Sequence, residues 1–403
     1  MVAAMQIVPG ALVNQADRSL LVVGSFPDDT MKRVQDASAA VSINAGFVGR
    51  CEELPAALAS ADPHAILVRM DAQGAAEACA HVRAQARFAQ VPIFGVTSEP
   101  NDLAFTEVFG WGGDDVLGVH SSQPLARRLR LLLAQPQATR AAPHASMSRM
   151  PALAGLAVVA GEEATWRTVM GRALYNGGFA VRFAASAQDF EKECVATGVR
   201  IVVVADDLLP EGAAAALAKV RNNGSQVAWV VVAPPKRMAT VRAELAPAGK
   251  AAVLDGFAPP ENVLFVVNEL LSARGVDQRG SARLLYGTAV AFRAAGREED
   301  EIGFSYNVSA TGVYVRTLAA LEAKQDVWLE MWAPRSERRV RLAGTVAWSR
   351  PFGPRGGATV PAGFGVQLKE GLAGDLERWR AGYDALRQTL LGSDAPAPVA
   401  NAP

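Results

Sequence analysis

Apolar residues follow two different patterns along this chain, and the change between them divides it. In the first two thirds, short runs of consecutive apolar residues, such as LLVV from Leu20 and IVVV from Ile201, alternate with amphipathic helical stretches. Strands without polar–apolar alternation, separated by helices, are typical of parallel sheets that are buried on both faces. We therefore expect an α/β architecture up to about residue 272.

The α/β part contains an internal repeat. The stretches NAGFVGRCEELPAALASADPHAILV, from Asn44, and NGGFAVRFAASAQDFEKECVATGVRIVVV, from Asn176, each combine a glycine–aromatic turn, a short strand, an amphipathic helix and an apolar strand. Such self-similarity predicts two copies of one unit, each of roughly 120 residues, near the usual domain size. We assign residues 18–135 to the first unit and 152–272 to the second, with an Ala-, Ser- and Pro-rich linker at 136–151.

The C-terminal third has a different pattern. From Arg279 to about Glu370, segments such as DVWLEMW and RRVRLAGTVAWS alternate polar with apolar residues, as half-buried antiparallel strands do. We predict a small antiparallel β-barrel or sandwich there, followed by a helix from about Ala373 to Leu391. Residues 273–391 form this third unit, and residues 392–403 are expected to be a disordered tail.

Composition limits the classes of function. Lys plus Arg equals Asp plus Glu, 40 against 40, so the net charge gives no reason to expect a nucleic-acid binder. The cysteines Cys51, Cys79 and Cys194 are far apart and imply no disulfide framework, and the four histidines form no metal-ligand spacing with them. The N-terminus lacks a signal-peptide pattern, and no apolar run approaches the ~20 residues that span a bilayer. We expect a cytoplasmic protein without a cofactor, a metal or a membrane-inserted segment.

Both α/β units resemble the receiver domains of two-component response regulators in pattern and strand order. The resemblance implies flavodoxin-like (βα)5 folds, an acceptor aspartate after the third strand, and an acidic pair after the first strand that holds Mg²⁺. In the first unit, Gly24 and Ser25 stand in place of the acidic pair and Arg69 stands at the acceptor position. We therefore expect no phosphotransfer in this unit.

The second unit keeps more of the receiver pattern. Asp206, in VVVADDLLPEG, is at the acceptor position, but Glu162 and Glu163 are displaced, and the hydroxyl and lysine positions fall near Ala233 and Gly256. We interpret Asp206 as a relic or a helix-capping residue, with a response regulator phosphorylated on Asp206 as an alternative. Both units are then pseudo-receivers, whose expected role is contact with an unidentified protein partner or homodimerisation.

The segment GWGGDDVLG, from Gly110 to Gly118, is similar to the active turn of a diguanylate cyclase. A simpler interpretation is favoured, because receivers commonly carry a Gly-x-Asp-Asp turn before the fifth strand and short motifs match by chance. No cyclase-sized domain surrounds the motif. We predict that the protein is not an enzyme.

Two motifs in the β region point to a ligand. Arg279 and Arg283 lie four residues apart in RGSAR, and Asn307, Ser309 and Gly312 form the pattern Asn-x-Ser-x-x-Gly after the second strand. The pair of motifs, together with the later GTVAWS and GFGVQL strands, resembles a PilZ domain. The resemblance implies a bacterial effector that binds cyclic di-GMP, usually as a stacked dimer, and controls motility or surface behaviour.

The residue types of the two motifs suit such a ligand. Arginine offers a fork of donors that matches guanine O6 and N7, and it also stacks on purines and pairs with phosphate. Asn307 has a donor and an acceptor that can read a guanine edge, Ser309 adds a hydroxyl, and Gly312 permits close backbone approach and a positive φ. Gln278 stands where the family often has a further arginine, for which Arg274 can substitute.

A non-binding alternative stays open at the level of sequence. Asn-x-Ser-x-x-Gly is also a common turn composition, and two arginines can be solvated linker charges. The protein would then be a scaffold whose three units bind other proteins. The acidic run from Arg297 to Glu301 would repel a dianion that it faced, although such runs usually form solvated loops.

Overall fold

A computed structural model describes residues 19–118, 122–134, 154–221, 227–271, 282–353, 360–372 and 374–391. The predicted linker at 136–151, the predicted tail at 392–403 and the candidate residues Arg274 and Arg279 lie outside the described residues.

The first unit is a parallel sheet whose central strands are buried on both faces. Its strands are β1 (Ser19–Val23), β2 (Asn44–Val48), β3 (Ala65–Arg69), β4 (Ile93–Thr97) and β5 (Asp115–Gly118), and its helices are α1 (Asp28–Ala39), α2 (Leu54–Ser60), α3 (Ala75–Ala84), α4 (Asp102–Gly110) and α5 (Ser122–Leu133). The strand order is β2-β1-β3-β4-β5. Burial on both faces explains why β1 and β3 are unbroken apolar runs.

The second unit repeats this architecture. Its strands are β6 (Leu156–Ala160), β7 (Ala180–Ala184), β8 (Val199–Ala205), β9 (Ala228–Ala233) and β10 (Ala251–Asp255), and its helices are α6 (Ala164–Asn176), α7 (Ala187–Cys194), α8 (Ala213–Arg221), α9 (Pro235–Leu245) and α10 (Asn262–Leu271). The order β10-β9-β8-β6-β7 is that of the first sheet counted from the other edge. Both units are therefore flavodoxin-like and receiver-like, as the internal repeat predicts.

The third unit is a closed antiparallel barrel. Its strands are β11 (Leu284–Leu285), β12 (Ala289–Ala294), β13 (Glu301–Ser309), β14 (Gly312–Arg316), β15 (Asp326–Trp332), β16 (Arg339–Arg350) and β17 (Gly363–Gly371). Six strands close in the order β12-β15-β16-β17-β14-β13, because β13 pairs with both β14 and β12, and β11 also pairs with β13. Alternate residues of β15 are buried, so these residues face the barrel interior and the residues between them face outward.

A C-terminal helix, α11 (Asp375–Leu391), follows the barrel. It starts two residues after the predicted boundary at Ala373. Trp379, Tyr383 and Leu386 from this helix belong to the hydrophobic core of the barrel. The helix is therefore part of the barrel's core rather than an appendage.

The three units also pack against one another. Phe304 of β13 contacts Phe105 and Phe109 of α4, with ring centroids 5.2 and 5.7 Å away. Leu318 and Ala362, from the barrel unit, join the core of the first unit. The barrel thus continues the core of the first receiver-like unit instead of being joined to it only by the chain.

Candidate functional site

Strand pairing brings the end of the arginine motif to the Asn-x-Ser-x-x-Gly motif. β11 begins one residue after Arg283 and pairs antiparallel with β13, with Leu285 opposite Asn307. Arg283 itself is half-buried. Since Arg274 and Arg279 lie outside the described residues, Arg283 is the member of the predicted arginine set that the structure places.

The Asn-x-Ser-x-x-Gly motif forms the β13–β14 hairpin. Ser309 pairs with Gly312 across a two-residue loop, and the Ser309 hydroxyl lies 3.5 Å from the Gly312 carbonyl oxygen. Gly312 does not adopt the positive φ that the sequence suggested, but a Cβ there would lie only 3.0 Å from the Val366 carbonyl oxygen. The absence of a side chain at Gly312 therefore allows its backbone to lie close to β17 of the barrel.

Asn307 lies beside a cluster of aromatic rings. Its partner across the strands is Tyr314, whose ring stacks on Trp348 with centroids 4.9 Å apart. A β-bulge between Ser305 and Asn307 breaks the alternation of β13, and bulges of this kind redirect side chains. An amide next to flat rings is a suitable surface for a nucleobase, but Asn307 is only 4% exposed in this arrangement.

The acidic run lies at the other end of β13. Glu301 is buried and pairs with Arg127 and Arg128 of α5, so the expectation of a solvated charge run is wrong for this residue. Asn307 follows it by six residues, which corresponds to roughly 20 Å along a strand. The Glu301 carboxylate is thus neutralised and distant from the hairpin.

One face of α11 contacts both motifs. The indole N–H of Trp379 donates to the Ser309 carbonyl oxygen at 3.1 Å, and the Tyr383 hydroxyl donates to the Ala282 carbonyl oxygen at 2.7 Å. Sequence reasoning missed both residues. The four-residue spacing in a predicted helix indicates a shared face, but it does not show which main-chain groups the polar tips reach.

The strand that carries Asn307 is also tied to the second unit. The Tyr306 hydroxyl donates to the Glu261 carbonyl oxygen at 2.8 Å and accepts from the Phe265 N–H at 3.1 Å. Arg316 of β14 pairs with both carboxylate oxygens of Glu261, at 2.7 and 2.8 Å, and its guanidinium lies over the ring of Phe109. Arg316 therefore contacts both receiver-like units from the barrel.

A cavity of about 290 Å³ opens where the barrel, α4 and the loop before α10 meet. Phe257 is 74% exposed in this loop. The cavity borders the segment that follows β11. Its lining consists of Thr106, Asp255, Phe257, Ala258, Pro259, Asn262, Leu285, Tyr286, Gly287, Phe304, Ser305, Tyr306 and Arg316.

The acceptor position of the first unit holds an ion pair. Arg69 ends β3, donates to the Ser25 carbonyl oxygen, and pairs with Asp71, with an Nη2–Oδ2 distance of 2.7 Å. This pairing lowers the pKa of Asp71. The guanidinium thus lies among the positions where a receiver carries its acceptor and acidic pair.

The acceptor position of the second unit is paired as well. Asp206, directly after β8, accepts hydrogen bonds from Nε and Nη2 of Arg237 in α9, at 3.0 and 3.3 Å. Glu163, one of the displaced acids, accepts the N–H of Trp166 at the start of α6. Asp206 is therefore held by a guanidinium and does not cap a helix.

The Gly-Gly-Asp-Asp turn lies at the junction of the three units. Asp114 pairs with Arg83 of α3 at 2.9 Å and with Arg172 of α6 at 2.7 Å. Burial disfavours ionisation of Asp114, but the two guanidiniums outweigh it and hold its pKa below the ordinary value. Asp115 accepts from Arg128 and from Leu318 N–H of the barrel unit, at 2.9 and 2.8 Å.

In the part of the chain that the structure describes, no group of three or more His, Cys, Asp or Glu side chains could hold a metal ion. None of the described helices combines the length and apolarity needed to cross a membrane.

No protein-family model matches the sequence, and no curated protein matches it. Several solved structures are similar to parts of the chain. A protein from Chloroflexus aurantiacus that is assigned as a response regulator is 21% identical, and the match covers 29% of this chain and 98% of that one with a TM-score of 0.28.

A protein assigned as a two-component system response regulator/GGDEF domain protein is 17% identical over 63% of this chain and 98% of that one, with a TM-score of 0.29. The inhibitor of motility of Bacillus subtilis is 19% identical over 30% of this chain and 55% of that one, with a TM-score of 0.24. At these identities and scores, function has to be inferred from the residues of this chain.

Proposed function

We propose that this protein is a cyclic di-GMP effector whose PilZ-like barrel binds the dinucleotide between the arginine motif and the β13–β14 hairpin. The pairing of Leu285 with Asn307 carries the proposal, because it joins the end of the arginine motif to the hairpin. Arg283 and Arg279 supply the cationic forks for guanine and phosphate. Asn307 and Ser309 supply the polar edge.

The surroundings of Asn307 support a flat ligand. Tyr314 and Trp348 are stacked next to it, and stacking on aromatic rings is a general way in which proteins hold nucleobases. The buried acid of the same strand, Glu301, is neutralised by two arginines. A dianionic ligand at the hairpin therefore meets no unpaired charge from Glu301.

The effector acts through protein contacts rather than catalysis. Tyr306, the neighbour of Asn307, is bonded to the start of α10, and the arginine motif lies in the segment that connects α10 to β11. A ligand held by Arg283 and Asn307 is therefore linked to the second receiver-like unit both through Tyr306 and through the chain that joins α10 to β11. A cytoplasmic role in motility or surface behaviour follows from the family resemblance alone.

One observation favours a second function, a scaffold that binds no nucleotide. Asn307 is 4% exposed, and its amide has to become accessible before it can read a guanine edge. In a scaffold, the aromatic cluster around Asn307 serves only to pack the barrel against α10. Nucleotide titration separates the two functions.

The test is calorimetric titration of cyclic di-GMP into the wild type and into Arg283→Ala. Loss of a charged, bidentate guanine contact costs about 1–3 kcal/mol, so we expect roughly 5- to 150-fold weaker binding. Arg293→Ala is the matched control, because Arg293 is an exposed arginine of β12 near the opposite end of β13 and pairs with Asp300. Its removal changes the net charge equally and should leave affinity unchanged.

Micromolar binding by the wild type that weakens in Arg283→Ala alone supports the proposal. The absence of heat with wild-type protein rejects it and favours the scaffold. Equal weakening in Arg283→Ala and Arg293→Ala indicates general electrostatic attraction and also counts against a built site.

A further inference from the structure

The C-terminal helix holds one main-chain carbonyl in each half of the candidate site. Trp379 donates to the Ser309 carbonyl oxygen in the hairpin, and Tyr383 donates to the Ala282 carbonyl oxygen next to Arg283. Residues four apart on a helix lie on one face, so the two contacts come from one rigid surface. In sequence, the two acceptors are 27 residues apart.

Both donors are fixed by their surroundings. Trp379 is 0% exposed and Tyr383 is 2% exposed, and both rings pack in the core of the barrel with Leu386. When a large aromatic ring is packed in this way, its position is fixed while its N–H or O–H group can reach a hydrogen-bond partner. The two tips therefore determine where Ser309 and Ala282 lie relative to each other.

We propose that Trp379 and Tyr383 are positioning residues of the ligand site, and that α11 holds Arg283, through its neighbour Ala282, at the separation from the hairpin that the dinucleotide requires. The inference rests on the proposed function of this site. Binding is tighter when the groups that must converge are already ordered, because less conformational freedom is lost on association. The acceptors of both hydrogen bonds are main-chain carbonyl oxygens. In this proposal the helix therefore fixes the backbone at Ser309 and Ala282 and does not itself contact the ligand.

Linkage gives the proposal a second consequence. If α11 favours the bound arrangement of the two motifs, the ligand must stabilise the contacts of α11 by the same free energy. Amide hydrogens of α11 should therefore exchange more slowly when cyclic di-GMP is bound. A residue that supports only the fold shows no such dependence on ligand.

The variant that tests the proposal is Tyr383→Phe, which keeps the ring and removes the hydroxyl. A single net hydrogen bond corresponds to about 2- to 12-fold in affinity, and we expect cyclic di-GMP binding to weaken by that factor. We also expect the ligand-dependent slowing of exchange in α11 to shrink. Trp379→Phe is a second variant at the other contact.

The matched control is Tyr286→Phe. The Tyr286 hydroxyl also donates to a main-chain carbonyl of the barrel, that of Trp332, at 3.1 Å. This bond connects neither motif to α11. We expect Tyr286→Phe to keep wild-type affinity and the wild-type exchange pattern of α11.

The possible failures are distinguishable. Wild-type binding with unchanged affinity in Tyr383→Phe and Trp379→Phe overturns the positioning role and leaves the proposed function standing. Equal weakening in Tyr383→Phe and Tyr286→Phe also overturns it, because any lost barrel hydrogen bond would then suffice. If the wild type does not bind cyclic di-GMP, the proposed function fails and the positioning role fails with it.

Discussion

An arginine–aspartate ion pair lies at the acceptor position of both receiver-like units. Arg69 pairs with Asp71 in the first unit, and Arg237 pairs with Asp206 in the second. A guanidinium neutralises a carboxylate by charge pairing and hydrogen bonding. Unlike Mg²⁺, it cannot coordinate a carboxylate and a phosphoryl oxygen at the same centre. These residues therefore act as ion pairs; in the second pair the Asp206 side chain is 9% exposed, whereas that of Arg237 is 41% exposed.

At the residue scale, we expect Asp206 to remain unphosphorylated. Acetyl phosphate with Mg²⁺ should leave both the wild type and Arg237→Ala unlabelled, because Glu163 is engaged at the start of α6 and no acidic pair completes a metal site among the described residues. Intact-protein mass spectrometry after incubation measures this. Labelling that disappears in Asp206→Ala, but persists in the neighbouring control Asp207→Ala, would restore the response-regulator alternative.

The sequence predicted part of this arrangement. That an arginine, Arg69, stands at the acceptor position can be read from the sequence, because the apolar strand before it marks where that position falls. The partner of Asp206 could not be predicted, since Arg237 lies 31 residues further along the chain, in α9. The fold brings them together, because α9 packs against β9 and β10 and β9 lies next to β8 in the sheet.

At the scale of elements, the Tyr306 hydroxyl connects β13 to the start of α10, and Phe265 of α10 also packs against the aromatic cluster that contains Tyr306. Tyr306 bonds to both the Glu261 carbonyl and the Phe265 N–H, which face each other across the first turn of α10. The first turn of a helix has main-chain groups in need of partners, so a side chain that reaches it stabilises the helix end. Burial raises the pKa of Tyr306, so the hydroxyl stays protonated and able to donate.

We expect Tyr306→Phe to loosen the start of α10. Removing a buried hydroxyl that bonds to two part-buried main-chain groups costs about 1–3 kcal/mol, and amide exchange in the first turn should accelerate correspondingly. Hydrogen-exchange mass spectrometry of α10 is the measurement. Tyr314→Phe is the control, because its hydroxyl bonds to Pro361 within the barrel unit, at 2.6 Å. Unchanged exchange in Tyr306→Phe would argue against the coupling.

On the scale of the whole molecule, the Gly-Gly-Asp-Asp turn is a structural junction. Asp114 pairs with Arg172 of the second unit, and Asp115 accepts from Leu318 N–H and the Thr317 hydroxyl of the barrel unit. Adjacent buried carboxylates thus bind the two neighbouring units. This arrangement accounts for the motif by packing and charge pairing.

We expect Asp114→Asn to destabilise the protein by about 3–5 kcal/mol at pH 7, because it leaves two buried guanidiniums without their anion. The lowered pKa of Asp114 means that its stabilisation is present above its ordinary value, 3.8, and is lost as pH falls through the lower folded value. The wild type should therefore lose more stability than the variant below about pH 4. Urea unfolding of the wild type and Asp114→Asn, at pH 7 and below about pH 4, measures the free energies of unfolding that are compared.

The control for Asp114→Asn is Asp326→Asn. Asp326 also has a lowered pKa, from hydrogen bonds with Thr345 and Lys369, but its side chain is 65% exposed. We expect Asp326→Asn to leave the urea midpoint close to that of the wild type, as is usual for surface substitutions. A small effect at Asp114 as well would mean that the junction tolerates the loss of its central carboxylate.

The sequence by itself determined the elements, the order in which they occur and the repeat of two α/β units. Local hydrophobic period decides whether a segment becomes a doubly buried strand, an amphipathic helix or a half-buried strand, and this information is contained in neighbouring residues. The same holds for Arg283, Asn307 and Ser309, whose residue types and spacing are enough to mark them as candidates for a ligand site.

Only the tertiary structure decided what these residues touch. The bulge before Asn307, the contacts of Trp379 and Tyr383 with the two motifs, and the pairing of Asp114 with Arg172 join segments that are distant in the sequence. Such contacts depend on the packing of whole elements, because a side chain's reach is set by where its helix or strand lies. The fold also determined that the indole N–H of Trp379, a residue that no sequence motif marked, donates to the Ser309 carbonyl oxygen.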